Sequence, residues 1–199
     1  MPIFHPAEPP GGSAALKEGL SKVFETATQV PTFRLLRRAG TIAHGPPHRV
    51  YTVGLHDLAE RKLLSAAKDV SWNYPVFSDS TPVGEVEIGR TYPDRPDLAF
   101  KAFHRTPFTE ATVAALDEAE KSASVAHADY EMRFLKIPSV YFAALWLHGP
   151  DDILVPLREP PGRLISNREY KELEVISALQ PSVEGAIRFE RQFERGEPV

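Results

Sequence analysis

From His127 to Leu157 the chain reads HADYEMRFLKIPSVYFAALWLHGPDDILVPL, its longest apolar run and its sharpest alternation. His127, Asp129, Glu131 and Arg133 alternate with Ala128, Tyr130, Met132 and Phe134. Successive side chains of a strand face opposite ways, so this pattern predicts a half-buried strand. Phe134 and Leu135 are adjacent and apolar, and Pro138 follows. Proline cannot donate to a ladder, so a bulge or break is expected there. Val140 to Leu147 carries no charge. As a strand it would set Val140, Phe142, Ala144 and Trp146 on one face and Tyr141, Ala143, Leu145 and Leu147 on the other, with both faces covered. A buried helix is the rival. The aromatic content and the turn His148-Gly149-Pro150-Asp151-Asp152 favour the strand, with Ile153 to Leu157 as its returning partner.

Around this centre the periodicity predicts hairpins and helices. Leu16, Leu20, Val23, Phe24 and Ala27 fall at helical spacing after Ser13, a residue able to cap, and Pro31 ends that run. Thr32 to Ala43 and Arg49 to Leu55 read as a hairpin across His44-Gly45-Pro46-Pro47-His48. Asp57-Leu58-Ala59-Glu60 has capping-box spacing and predicts a short helix to about Lys68. Val70 to Phe77 is aromatic-rich, and Val83 to Thr91 with Leu98 to Arg105 reads as a second hairpin. Thr106-Pro107 opens a long helix to near Ala126, with Phe108, Thr112, Ala115, Leu116 and Ala119 inside. Ser166-Asn167-Arg168-Glu169 is a capping box for a helix through Tyr170, Leu173, Ile176 and Leu179 that stops at Pro181, and Ser182 caps one more. Helices alternating with hairpins predict an α+β fold, an antiparallel sheet built from hairpins and covered by four or five helices. Residues 1–12 are expected to form a flexible N-terminal arm and 13–195 a single α+β domain.

Composition narrows the class. With 199 residues, 42% of them apolar and 25% charged, the chain is globular and long enough for a real core. A net charge of −4 without a basic stripe argues against a nucleic-acid partner, Arg34, Arg37, Arg38 and Arg49 making only a local patch. Nothing reads as a membrane span or a secretory signal, which makes a cytoplasmic protein the expectation. The absence of cysteine removes disulfides, thiol nucleophiles and cysteine zinc sites.

Candidate chemistry is sparse. His127, Asp129 and Glu131 would share a strand face and form a metal candidate, although alternate residues lie roughly 6.5–7 Å apart, too far for three to converge easily. The plainer reading is a solvated face on which Arg133 pairs with Glu131. His44 and His48 flank a turn, at best half a zinc site, and nothing joins His56 to them. His148 with Asp151 and Asp152 resembles a base beside carboxylates. Trp72, Tyr74, Phe77, Tyr141 and Trp146 would line either an apolar pocket or a core. No nucleophile elbow, zinc-protease motif or dinucleotide loop is present, and Gly11-Gly12-Ser13 ahead of Lys17 has the wrong spacing for a phosphate loop.

The expected function is a non-catalytic module that binds a protein partner or a small apolar ligand, without a cofactor. Its candidate binding residues are Trp72, Tyr74, Tyr141, Trp146, Glu131 and Arg133. The alternatives are a metal-assisted or His/Asp-based hydrolase or lyase, and a structural subunit of a larger assembly, homo-oligomers included.

Overall fold

The computed structural model describes residues 2–26, 41–92, 97–104 and 107–195. In chain order these form β1 (Ile3–Phe4), α1 (Gly12–Thr26), β2 (Ile42–His44), β3 (His48–Thr52), α2 (Leu55–Ala59), β4 (Lys68–Ser78), β5 (Thr81–Arg90), β6 (Leu98–His104), α3 (Pro107–Ala119), β7 (Tyr130–Ile137), β8 (Phe142–His148), β9 (Ile153–Pro156) and α4 (Glu172–Glu194). The fold is α+β. The sheet is mostly antiparallel: β2–β4, β4–β5, β5–β6, β7–β8 and β8–β9 pair antiparallel, and β1 joins β7 in parallel. The chain divides into two compact units, one of residues 1–4, 50–69 and 114–199, the other of residues 5–49 and 70–113.

In the first unit the uncharged run is indeed a strand. β8 lies between β7 and β9, antiparallel to both, and its Leu145 and Leu147 are buried on one face, Phe142, Ala144 and Trp146 on the other. Two-sided burial explains why the run has no polar alternation. Of the expected bulge or break, it is the break that occurs, at Pro138; there is no bulge at Leu135, for β7 and β8 stay in register from Glu131↔His148 to Ile137↔Phe142. The phase change is one of burial along a single face: Glu131 and Arg133 are half-buried, whereas Leu135 and Ile137 enter the core beside Val175, Ile176, Leu179 and Val183 of α4. Pro138–Val140 then forms a single 3-10 turn, and Tyr141 takes the left-handed conformation with φ 52° before β8 begins. Val140 is therefore buried in the turn rather than in the strand.

α4 overrides a local signal. The sequence predicts a stop at Pro181 and a new cap at Ser182, but one helix runs through both. A proline inside a helix costs about 3 kcal/mol. The buried stripe of Val175, Ile176, Leu179 and Val183 continues across it, and each such side chain contributes roughly 1.5–3 kcal/mol when buried. The stripe wins. The helix also starts later than the Ser166 box implies. Lys171 is its N-cap, and the Lys171 N–H donates to Glu174 Oε2 at 2.8 Å. Ser166 instead donates its hydroxyl to the Leu157 carbonyl at 3.0 Å. Tyr170 exchanges two backbone bonds with Leu154, each 2.9 Å, and so extends the pairing beyond β9. Gly162, with φ +73°, packs so closely on α4 that a Cβ would lie 2.5 Å from the Ala178 carbonyl oxygen.

α2 is one short turn capped by Gly54, with Asp57 inside it rather than at its cap. A separate 3-10 turn, Leu64–Ala66, replaces the remainder of the expected helix, its Leu64 N–H held by the Glu172 carboxylate at 2.8 Å. Buried Leu58 and Leu63 hold this segment down.

The second unit is built on β4 and β5, joined by the two-residue turn Asp79-Ser80. Both turn residues have positive φ, 46° and 69°. That geometry matches the twist of a hairpin. β6 pairs with β5 as expected, with a register shift between Glu87 and Ile88. α1 packs its Ala15 and Leu16 on Tyr74, Val76, Val86 and Ile88. Gly19 lets the helix meet Phe100, since a Cβ there would fall 2.3 Å from the ring. Of the predicted hairpin of Thr32–Ala43 with Arg49–Leu55, residues 32–40 lie outside the described residues. Its described piece, β2, pairs with β4 through Ile42↔Ser78 to His44↔Val76. Asp79 Oδ1 accepts from Thr41 N–H at 2.9 Å and fixes that register. Residues 27–40, with Arg34, Arg37 and Arg38, lie outside the described residues.

Two further boundaries move. Within residues 1–12, expected as an arm, Ile3 and Phe4 pair with Tyr130 and Glu131, and Tyr130 N–H donates to the Pro2 carbonyl at 2.7 Å. Farther on, Glu8 accepts from Ser13 Oγ at 2.6 Å. α3 ends at Ala119, short of Ala126, and closes in a turn where Ser122 N–H donates to the Ala119 carbonyl.

Candidate functional site

One face of the first unit brings together Glu131, Arg133, His148 and Asp152. The register sets Glu131 opposite His148 and Arg133 opposite Trp146. Arg133 Nε donates to Glu131 Oε1 at 2.8 Å, the pairing that the alternation implies. The Arg133 guanidinium also stacks over two rings, 4.8 Å from the Trp146 centroid and 5.0 Å from that of Tyr51. Tyr51 and Trp146 meet edge to face at 5.0 Å. The arginine charge is thus matched by a carboxylate and two ring faces, and an incoming anion would have to displace Glu131.

At the end of β8 this network becomes chemical. Asp152 Oδ1 accepts from Trp146 Nε1 at 2.9 Å and pairs with His148 Nδ1 at 2.8 Å. A carboxylate acceptor makes Nδ1 the donor, and whenever the ring is neutral in that tautomer its lone pair is on Nε2. A base oriented in this way can take a proton from a water or hydroxyl brought within reach. The sequence offered Asp151 and Asp152 equally; Asp152 is the partner because it is the one the turn returns to the Trp146 face. Tyr51 had no local signal at all, since it arrives from a strand far away in the sequence.

The other candidates are dispersed. Trp72 and Tyr74 belong to the second unit. Trp72 is half-buried beneath the Arg49 guanidinium, 5.0 Å from the ring centroid. Tyr74 is fully buried and donates its hydroxyl to Glu8 Oε1 at 3.1 Å. Burial first, and then that bond to Glu8, push the Tyr74 hydroxyl well above the ordinary tyrosine range. His127 and Asp129 are exposed in the turns before β7, so only Glu131 of the metal trio lies on the strand. Among the described residues no three His, Cys, Asp or Glu side chains cluster as metal ligands. His44 is exposed and His48 buried, so the pair does not face across its turn. His56 approaches Glu190 at 3.7 Å.

Tyr141 stands apart from all of these, 91% exposed on its left-handed residue. It borders a groove of about 730 Å³. The second half of α4 gives one wall through Ser182, Gly185, Ala186 and Phe189; Pro138–Tyr141 with Glu159 and Pro161 give the other, and Leu55 adds apolar surface. Phe189 and Phe193, one helical turn apart, are 52% and 75% exposed. Sequence reasoning placed a further helix from Ser182 but marked no site on it, because nothing local brings Pro138–Tyr141 and Glu159 beside it. A smaller concavity of about 460 Å³ lies between Ala115–Ser122 and Asn167–Glu169.

No protein-family model matches the chain, and no curated protein or solved structure shows significant similarity to it. No helix among the described residues is long and apolar enough to cross a membrane.

Proposed function

We propose that the chain is a non-catalytic binding module that takes a protein partner in the groove beside Tyr141. The observation that carries this reading is Tyr141 itself. A non-glycine residue in the left-handed region costs about 1–2 kcal/mol, and here that conformation holds a large aromatic side chain almost wholly in water. Exposed aromatics beside a groove are what the centre of an interface needs, since Tyr and Phe are enriched there. A small apolar ligand fits less well, because such ligands have about 70–90% of their surface buried by their pockets and this groove is open along its length. The hydrolase reading is weaker: His148 and Asp152 meet, while His127 and Asp129 stand outside β7.

The test replaces Tyr141 with photoreactive benzoylphenylalanine in the full chain and irradiates it in cells. A discrete crosslinked protein is expected, absent from the same probe at Leu173, which is 69% exposed on α4 but does not line the groove. Gly185→Trp, which fills open space because nothing lies within 4 Å of a Cβ there, should abolish the crosslink. Equal labelling from both probe positions would sink the proposal.

A further inference from the structure

Resting on that reading, we infer that the groove's partner is an amphipathic helix whose apolar ridge is flanked by lysine or arginine. Three features lead there. Among the described residues no strand lines the groove, so the partner has no ladder to join there and must bring its own backbone bonds, as a helix does. Ser182, Gly185 and Ala186 lie on one side of α4, and a Cβ on Gly185 would touch nothing. Small residues let a second helix approach to the usual spacing of roughly 8–10 Å, with its apolar side chains lying against Tyr141.

The third feature is charge. Two carboxylates, Glu159 and Glu190, line the groove, and among the described residues no lysine or arginine does. Glu190 has only the exposed His56 imidazole at 3.7 Å. Glu159 sits on a left-handed residue, φ 46°, in the loop facing α4. An apolar trough with an acidic rim selects cations at the flanks of an apolar ridge and repels acidic helices, so the rim sets specificity while the trough supplies contact.

The experiment uses the full chain and two labelled synthetic helical peptides with identical leucine ridges, one flanked by lysines and the other by glutamates, followed by fluorescence anisotropy. The lysine peptide should bind, and the glutamate peptide should bind at least about tenfold more weakly, as expected for a few rim ion pairs. Glu159→Gln with Glu190→Gln should weaken the lysine peptide several-fold. Glu118→Gln with Glu120→Gln, the same charge change outside the groove, should leave it unchanged. Tyr141→Ala, at an exposed position that cannot unsettle the core, should weaken both peptides. Equal affinity for the two peptides, or equal loss from both double variants, overturns the charge inference and leaves the groove reading standing. Binding indifferent to Tyr141→Ala overturns both. Light scattering that shows a dimer dispersed by Tyr141→Ala would assign the groove to a second copy and overturn the choice of partner, and failure of both peptides to bind would overturn the helix.

Discussion

The two units treat their buried polar atoms differently. In the first, Trp146 buries its indole and still places Nε1 on Asp152, and Arg133 is held by Glu131 while it stacks on two rings. Gln180 Nε2 is the one buried side-chain atom without a partner among that unit's described residues. In the second, Asn73 is fully buried on β4 with both amide atoms unpaired, and Ser71 Oγ, two residues before it, is unpaired as well. Thr109 and Thr112, on the first half of α3, add two more. Each unpaired buried group costs about 1–3 kcal/mol. The same α+β grammar therefore yields one unit with a single orphaned polar atom among its described residues and another that carries a larger standing penalty. The first should be the harder to unfold.

The sharpest way to break this comparison is Trp146→Ala. It removes a buried aromatic and leaves Asp152 without its indole donor, so urea titration should show a loss of about 3–5 kcal/mol. A loss below about 1 kcal/mol would mean that the first unit does not depend on this network. The converse change is Asn73→Leu, which keeps the branched four-atom side-chain skeleton and removes both orphan atoms. It should raise the denaturation midpoint, by up to about 1–3 kcal/mol. A lowered midpoint would mean that a bound water or ligand satisfies the amide, and the contrast between the units would vanish.

The smallest effect concerns alkaline pH. The Tyr74 hydroxyl titrates higher in the fold than in the unfolded chain, where it titrates near 10. Its neutral form is the one that the fold favours, so its contribution is complete below about pH 10 and is lost as pH rises from there toward the folded value. Between about pH 9 and pH 11 the native protein should lose stability more steeply than Tyr74→Phe. Parallel slopes would remove Tyr74 from the account of the second unit.

Much of the fold is legible in the sequence wherever burial and local pattern agree. Val140 to Leu147 lacks charge because most of its strand is covered on both faces, and the β5–β6 pair shows in its alternation and its Pro- and Asp-rich loop. What was illegible depends on partners far away in the chain. Pro181 reads as a stop until the stripe that packs across it is known. His44 reads as one side of a hairpin because nothing local says that β2 will pair with β4. The candidate site divides in the same way. The Glu131–Arg133 pair follows from two-residue spacing, and Trp146 joins it by register. Tyr51 comes from elsewhere in the chain, and Asp152 could not be told from Asp151 before the turn's geometry was known.

The short parallel pairing of Ile3 and Phe4 has a practical side. Tyr130 opens the strand that holds Glu131 and Arg133, and its amide is bound by the carbonyl of Pro2. Clipping a handful of residues from the front, a routine step in preparing a protein for crystals, would peel away a strand and bare the amide at the threshold of the polar network. A preparation shortened in that way would be a different molecule at the place where its chemistry is densest.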